Sequence, residues 1–339
     1  MTTTVHALAA REAKGKLQPF EFTLPDLRPG QVEIAVESCG ICHSDLSMLD
    51  NDWQTTTYPF VPGHEVVGSV AAIGPGVQQV KVGQRVGLGW FSASCMGCPQ
   101  CMAGDHNLCP TAEGTMIGRH GGWATRVRCD QYWATPLPDG LDAASAGPLF
   151  CGGITVFNPL VQFAVKPTDR VGVIGIGGLG HMALKFLHAW GCHVTAFTSS
   201  DGKRDEARKF GAHEVVSSRD AQAMKKLARS LDFILNTANA DFDWPAFIEA
   251  LAPRGRLHTV GAVPSPIPVA AFTLLGAQRS VSGSPLGSPA TTRKMIEFAV
   301  RHGIAPQTEH FKMSQANQAL DHLRAGKARY RIVLTNDLG

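Results

Sequence analysis

The chain has 339 residues, a length that one core seldom spans, so two domains are expected. Hydrophobic residues make up 44% and charged residues 17%, the balance of a globular protein with ample material for its cores. A formal net charge of +3 is too small to argue for a nucleic-acid partner. No apolar stretch reaches transmembrane length, and the opening MTTTVHALAAREAKG lacks the basic-then-apolar order of a signal peptide.

The first 150 residues are rich in Gly, Pro and β-branched residues. Strand-like runs at 31–40 (QVEIAVESCG), 66–74 (VVGSVAAIG) and 81–90 (KVGQRVGLGW) lie between Gly/Pro punctuation, which predicts a small β-rich domain with site-bearing loops. The character changes near residue 152. RVGVIGIGGLG (170–180) reads as a buried strand running into a glycine turn. Leu179, Met182, Ala183, Phe186, Leu187 and Trp190 then mark one apolar face of a helix. Further strands are expected at 192–200, 213–218, 231–239 and 256–263, separated by helical stretches such as 203–212. That alternation predicts a parallel sheet covered on both faces. A helix at 291–303 and a strand at 328–335 close the chain.

Gly175-Ile176-Gly177-Gly178-Leu179-Gly180 fits GxGxxG between that strand and helix. The first glycine permits the tight turn, the second lets a pyrophosphate approach the backbone, and the third lets helix pack on strand. The helix N-terminus beyond it offers free N–H groups to phosphates. The end of the next strand, with Thr198, Ser199, Ser200, Asp201, Lys203 and Arg204, should choose the dinucleotide. Asp201 is the one competitor for a ribose 2′-OH and an NAD reading. The hydroxyls of Ser199 and Ser200 with Lys203 and Arg204 suit a 2′-phosphate, so NADP is expected; the bland alternative is a solvated first helical turn.

Of nine cysteines, four crowd into residues 95–109, a pattern more typical of metal binding than of disulfides in an intracellular chain; cytoplasm is the default compartment. Cys95, Cys98, Cys101 and Cys109 follow C-x2-C-x2-C-x7-C, which can close a tetrahedral shell around a structural zinc. Gly97, Pro99 and Gly104 suit a tight wrap around it, and free thiols or disulfides are the alternative. Cys42 in GICHSD, His64 in PGHE and Cys151 in PLFCGGIT are scattered, and none is diagnostic alone. Cys39 and Cys42 even form a competing C-x2-C pair.

Gly63-His64-Glu65, the four-Cys lobe, Cys151 and the glycine turn, in that order, resemble the zinc-containing medium-chain dehydrogenase/reductase family. CGICHSDLSMLDNDW, RVGVIGIGGLGH, LHTVGAV and GKARYRIVL are similar to its cinnamyl alcohol dehydrogenase branch, above all to bacterial broad-range NADPH-dependent aldehyde reductases. The resemblance implies an α/β protein: a GroES-like β-rich catalytic domain (1–152 and 285–339) and a Rossmann doubly wound parallel-sheet domain (153–284). It implies Cys42, His64 and Cys151 as ligands of a catalytic zinc with one open position, so two zinc ions per chain. Glu65 matches an acid that approaches the metal, Asp45 a carboxylate orienting His64, and Ser44 the hydroxyl that bonds the substrate oxygen. Thr155, Val260 and Ser282 match residues beside the nicotinamide. Arg331, with Arg329 an equal candidate, matches a contact to a cofactor phosphate. Many relatives carry a proton-relaying His where this chain has Ser47, so the proton leaves through the cofactor ribose and His43 or directly to water.

The activity so implied is hydride transfer from NADPH to aldehydes, reversible toward primary alcohols, with a small-molecule partner and a homodimer or homotetramer as the assembly. Trp53, Tyr58 and Trp90 are candidates to line an apolar substrate channel, with ordinary core or surface packing as the alternative. The competing readings are an NAD-linked alcohol dehydrogenase, a non-catalytic zinc or redox-sensing protein using the same fold, and a zinc-free quinone reductase relative.

Overall fold

The structure, a computed structural model, describes residues 3–199 and 201–339, and the side chain of Asp201 lies outside what it describes. Two compact units make up the chain: Met1–Ile154 with Gly287–Gly339, and Thr155–Leu286.

The second unit is built on six strands: β1 (Arg170–Ile174), β2 (His193–Thr198), β3 (Glu214–Ser217), β4 (Leu231–Asn236), β5 (Leu251–Thr259) and β6 (Ser280–Gly283). Every pairing is parallel, and the order across the sheet is β3-β2-β1-β4-β5-β6. That order reverses direction beside β1, which is the arrangement of two mononucleotide-binding halves expected of a dinucleotide-binding sheet. Buried β-branched, leucine and aromatic residues fill β1, β2 and β4, as strands covered on both faces require. The helix Gly180–Trp190 follows β1, buries Met182, Ala183, Phe186 and Leu187, and stops at Gly191, whose φ of 103° is the left-handed cap that glycine accommodates.

The first unit is organised by a seven-stranded sheet. The long strand Gln31–Ile41 is its spine, antiparallel to Val66–Ile73, Arg126–Asp130 and Arg331–Thr335. Arg331–Thr335 carries the C-terminal segment into this sheet and pairs in parallel with Thr308–Lys312. The core beneath it holds Val32, Ile34, Val66, Val86, Trp123, Ile332 and Leu334. Gln31–Ile41 leaves only Gln31, Ala35 and Glu37 partly exposed and then buries five residues in succession, Ser38 to Ile41 and the following Cys42. The sheet therefore delivers its spine strand into the interior at the point where the candidate site begins.

Candidate metal and cofactor sites

Cys42 ends the spine strand and begins the helix His43–Asp50. Its N–H donates to Asp45 Oδ2 at 2.8 Å. Asp45 Oδ1 accepts from the Gly63 N–H at 2.9 Å and from His64 Nδ1 at 3.1 Å. One fully buried carboxylate thus ties Cys42, Gly63 and His64 together. A carboxylate only accepts, so Nδ1 of His64 carries the proton and the lone pair of Nε2 faces the site. Cys151 brings its Sγ to 3.3 Å from that Nε2 and 3.8 Å from Cys42 Sγ. A tetrahedral zinc with ordinary bond lengths has S···S edges of about 3.8 Å and S···N edges of about 3.5 Å. The two thiols and the imidazole therefore fit that ion, and with Glu65 they bring four ligand atoms within 4.8 Å of one another.

The electrostatics agree with a cation at this point. The hydrogen bond from Cys151 holds the Cys42 thiol well below its ordinary range, against the effect of burial and with help from Arg331 and His64. Burial works against a charged His64, yet Asp45 and Cys42 carry it well above the usual imidazole range. Glu65 is fully buried and raised by that burial. It pairs with Arg331 through Oε1, and its Oε2 has no hydrogen-bond partner. A buried acceptor without a donor is costly in a protein interior and marks a place for a cation.

This geometry corrects the phosphate role expected of Arg331. Its guanidinium is buried against Glu65 inside the first unit and has no surface to offer a phosphate. Arg329 is exposed, with its backbone N–H on Glu309. The competing Cys39–Cys42 pair is also resolved: Cys39 is a core residue of the spine strand, outside the ligand group, its thiol raised well above the usual range by burial. Ser44 Oγ stands 3.7 Å from Cys42 Sγ, while His43 on the same turn is exposed and Ser47 is buried. Trp90 packs edge-on against the His64 ring at 4.8 Å, and Trp53 packs edge-on against Trp90. Tyr58 is a structural aromatic instead, its hydroxyl donating to the Leu49 carbonyl at 2.9 Å.

Cys95, Cys98, Cys101 and Cys109 place their sulfurs within 4.8 Å of one another. Backbone N–H groups of Cys95, Cys98 and Cys101 point at the sulfurs of Cys109, Cys95 and Cys98 at 3.3–3.5 Å, the donors that metal thiolates accept from. The N–H of Cys95, followed by Thr111 and against burial, brings the Cys109 thiol down to about 6. Pro99 starts a short helix and Gly104 sits at φ 90°, but the left-handed residue at the first corner is Met96, not Gly97.

In the second unit Gly175 adopts φ 84°. A Cβ at Gly177 would point into open space, whereas one at Gly180 would strike the Gly175 carbonyl. The turn therefore leaves an open cradle at Gly177, beside Gly178 and Leu179, and needs glycine where the helix closes on the strand. A groove of about 560 Å³ runs from this turn past Thr198, Ser199 and Lys203 to Arg219. Lys203 Nζ donates to the Ile176 carbonyl at 2.9 Å, which anchors its charge at the groove. Arg204 is not among the lining residues and gives Nη1 to the Val215 carbonyl; Ser200 lies outside the described residues. Arg219 and Ser218, after β3, were not singled out by the sequence, because only the parallel pairing of β2 with β3 brings them beside Ser199. Thr155 is buried in the helix Gly152–Gln162. Val260 is held through its N–H on the Asn236 carbonyl, and Ser282 on β6 bonds His258.

A dinucleotide-type sheet in one unit and a buried Cys₂His donor set in the other define a zinc-binding dehydrogenase. Comparison with known proteins agrees. The family models described as "Alcohol dehydrogenase GroES-like domain" and "Zinc-binding dehydrogenase" match residues 28–139 and 178–301. The aldehyde reductase AdhA of Synechocystis is 54% identical over 332 residues, covering 98% of this chain and 99% of that protein. Among solved structures, a cinnamyl alcohol dehydrogenase of Sorghum bicolor superposes with a TM-score of 0.94 at 37% identity, over 99% of both chains. A Helicobacter pylori relative in complex with NADP(H) superposes at 0.90 with 28% identity, again over 99% of both. The chain belongs to the zinc-containing medium-chain dehydrogenase/reductase family, in its cinnamyl alcohol dehydrogenase branch.

Proposed function

We propose that this protein is a zinc-dependent, NADPH-linked aldehyde reductase that also runs in reverse as a primary-alcohol dehydrogenase. The observation that carries the reading is the donor set: Cys42, His64 and Cys151 at the edge lengths of a tetrahedral zinc, with Asp45 fixing the imidazole from behind. The aldehyde reductase activity named for the Synechocystis relative is the activity expected here. Unit 1 is read as the catalytic domain and unit 2 as the cofactor domain.

Zinc held by Cys42, His64 and Cys151 would supply Lewis-acid polarisation of a carbonyl oxygen, and NADPH the hydride. The residues of the chain do the rest. Asp45 accepts the Nδ1 hydrogen of His64, which leaves Nε2 as the nitrogen that would hold the zinc. Ser44 hands a proton to the substrate oxygen from beside Cys42. Beyond it the buried Ser47 offers no imidazole, and the exposed His43 lies on the same helical turn, so the proton exits to solvent at that end. Trp90 against the His64 ring, with the half-exposed Trp53 packed on it, forms an aromatic wall that suits aryl and alkyl aldehydes over polyols.

The NADP reading rests on Ser199 and Lys203 in the groove, joined by Arg219. The acids of the same groove are engaged: Asp241 accepts from Ser265, and Asp243 caps the helix Trp244–Ala250. The Helicobacter pylori relative was solved with NADP(H), which agrees. Steady-state kinetics with NADPH and NADH test it. We expect the lower Michaelis constant for NADPH, with Lys203→Ala raising that constant about tenfold or more and leaving that for NADH within about twofold. A wild-type preference for NADH would overturn the cofactor assignment.

A second copy of the chain is the proposed assembly partner. Strand β6 is one edge of the parallel sheet among the described residues, and the neighbouring helix Ala271–Leu275 leaves Phe272 at 87% and Leu275 at 71% exposure. An open strand edge beside apolar side chains suits pairing across a two-fold axis. Cytoplasmic residence is read from the cysteines, six of which fall into two metal-ligand groups.

A further inference from the structure

A cavity of about 750 Å³ in the first unit shares no residue with either metal group or with the Trp53–Trp90 pair. It is lined from the strand Gln18–Leu24, the strand Arg126–Asp130 and the ribbon of Phe91–Ala93 with Glu113–Gly114 that flanks the four-Cys lobe. Its volume falls in the range of small-molecule sites, about 300–1,000 Å³.

Four arginines line this cavity: Arg28, Arg119, Arg126 and Arg128. Strand alternation sends Arg126 and Arg128 to the same face, and the antiparallel register sets Arg128 opposite Glu33. That pair is buried. Glu33 Oε2 accepts from Arg128 Nε at 2.9 Å and Nη2 at 2.7 Å, and Glu33 Oε1 lies 3.7 Å from Arg126 Nε. Arg119 donates through Nη1 to Ser92 Oγ at 2.8 Å and through Nη2 to the Arg128 carbonyl, with Glu113 at 3.8 Å. Burial holds Arg119 below the usual guanidinium range, and Arg28 and Arg128 push it the same way against Cys129 and Glu113. A third carboxylate, Asp26, has a partner of its own. Arg28 is exposed, and its guanidinium has no hydrogen bond or ion pair among the described residues. Four guanidinium groups thus meet three carboxylates, Asp26, Glu33 and Glu113, and the cation left over is Arg28.

The remaining lining is apolar and aromatic. Phe22 packs on the His120 ring with centroids 4.4 Å apart, and Leu24 and Ile117 extend that surface. Burial, with Arg119 adding to it, holds His120 below the usual imidazole range, so the ring is neutral at pH 7. An excess of one positive charge suits a monoanion, and the guanidinium fork takes a carboxylate through two parallel hydrogen bonds. The aromatic lining suits a flat ring. We propose that this cavity is a second small-molecule site, for aromatic monocarboxylates, with Arg28 pairing the carboxylate and Phe22 and His120 packing the ring. The site is separate from the dehydrogenase reading and does not rest on it.

The test is isothermal titration of benzoate into the zinc-loaded protein, with benzamide as the uncharged probe of the same shape. Benzoate could also meet the catalytic metal, so the titration is repeated in Cys151→Ser, which lacks a ligand to it. We expect saturable binding of benzoate in the wild type that persists within about twofold in Cys151→Ser. Arg28→Glu should weaken it about tenfold or more, and benzamide should bind the wild type about tenfold more weakly than benzoate. Arg28 is exposed and holds no other group, so Arg28→Glu keeps the fold and leaves kcat/KM for aldehydes within about twofold. No saturable benzoate binding in the wild type would overturn the proposal. So would an affinity unchanged in Arg28→Glu, a loss of binding in Cys151→Ser, or benzamide binding as tightly as benzoate.

Discussion

Asp45 receives three hydrogen bonds at a site from which water is excluded, and that concentration of function in one carboxylate makes a sharp prediction. Asp45→Asn keeps the size but turns an NH₂ group toward a donor. Zinc affinity at the Cys42–His64–Cys151 site should fall about 10- to 100-fold, measured by chelator competition, with kcat/KM falling alongside. Unchanged zinc retention would mean that His64 is oriented by packing instead. His258 gives a prediction in pH. Burial, with Arg256 adding to it, holds its folded-state value down to about 4, below the value near 6.5 of a free histidine, so the unfolded chain binds the extra proton between those two pH values. Stability is therefore present above pH 6.5 and is lost as pH falls toward 4, by up to about 3 kcal/mol from this group. The midpoint of thermal unfolding should drop more steeply over that window in wild-type protein than in His258→Gln; equal slopes would contradict the assignment. Residue-level function was legible in the sequence where a ligand lay in a compact motif. Where the decisive fact was burial, it was not. Nothing local tells Cys39 from Cys42, and Arg331 looks like a surface cation until its strand is seen to run into the interior beside Glu65.

At the scale of the element, the four-Cys lobe is a self-contained loop, its short helix Pro99–Met102 too small to hold itself together. Cys101→Ser should release one of two zinc ions, lower the melting temperature and promote aggregation, yet leave turnover per intact catalytic site close to wild type; metal analysis and calorimetry read this. Loss of activity without loss of stability would show the lobe to be part of the catalytic machinery. Strongly periodic elements were readable: the helix Gly180–Trp190 and strands β1, β2 and β4 lie within the predicted spans. The misses have physical causes. KVGQRVGLGW contributes only Arg85–Leu88, because a glycine at φ 81° turns the chain just before it. Strand β5 begins at Leu251, five residues before the expected Arg256. Pro253, Arg254 at φ 65° and Gly255 lie in an irregularity of the pairing that sequence rules read as a break. The helix His43–Asp50, which sets out Cys42, Ser44 and Asp45, has little apolar periodicity and was not among the expected elements.

At the scale of the whole molecule, two glycine-rich stretches do different work. One folds into a mostly antiparallel sheet whose spine strand carries Cys42 inward, and the other into a parallel sheet whose glycine turn leaves an open cradle at Gly177. If a second copy covers strand β6, Phe272→Glu combined with Leu275→Glu should convert a dimer to a monomer in light scattering, since two charges cannot be buried across a two-fold axis without partners. A monomeric wild-type protein would remove that proposal and leave the zinc chemistry untouched. The account as a whole stands on the division of labour between the two metal sites. The most direct measurement is zinc per chain together with NADPH oxidation by aldehydes, in wild-type protein and in Cys151→Ser. We expect two zinc ions and turnover in the wild type. In the variant we expect about one zinc ion, retained by the four-Cys lobe, and a loss of turnover of at least about 10³-fold with the fold intact. Turnover in Cys151→Ser close to that of the wild type, or a wild-type protein without zinc that still reduces aldehydes, would contradict it.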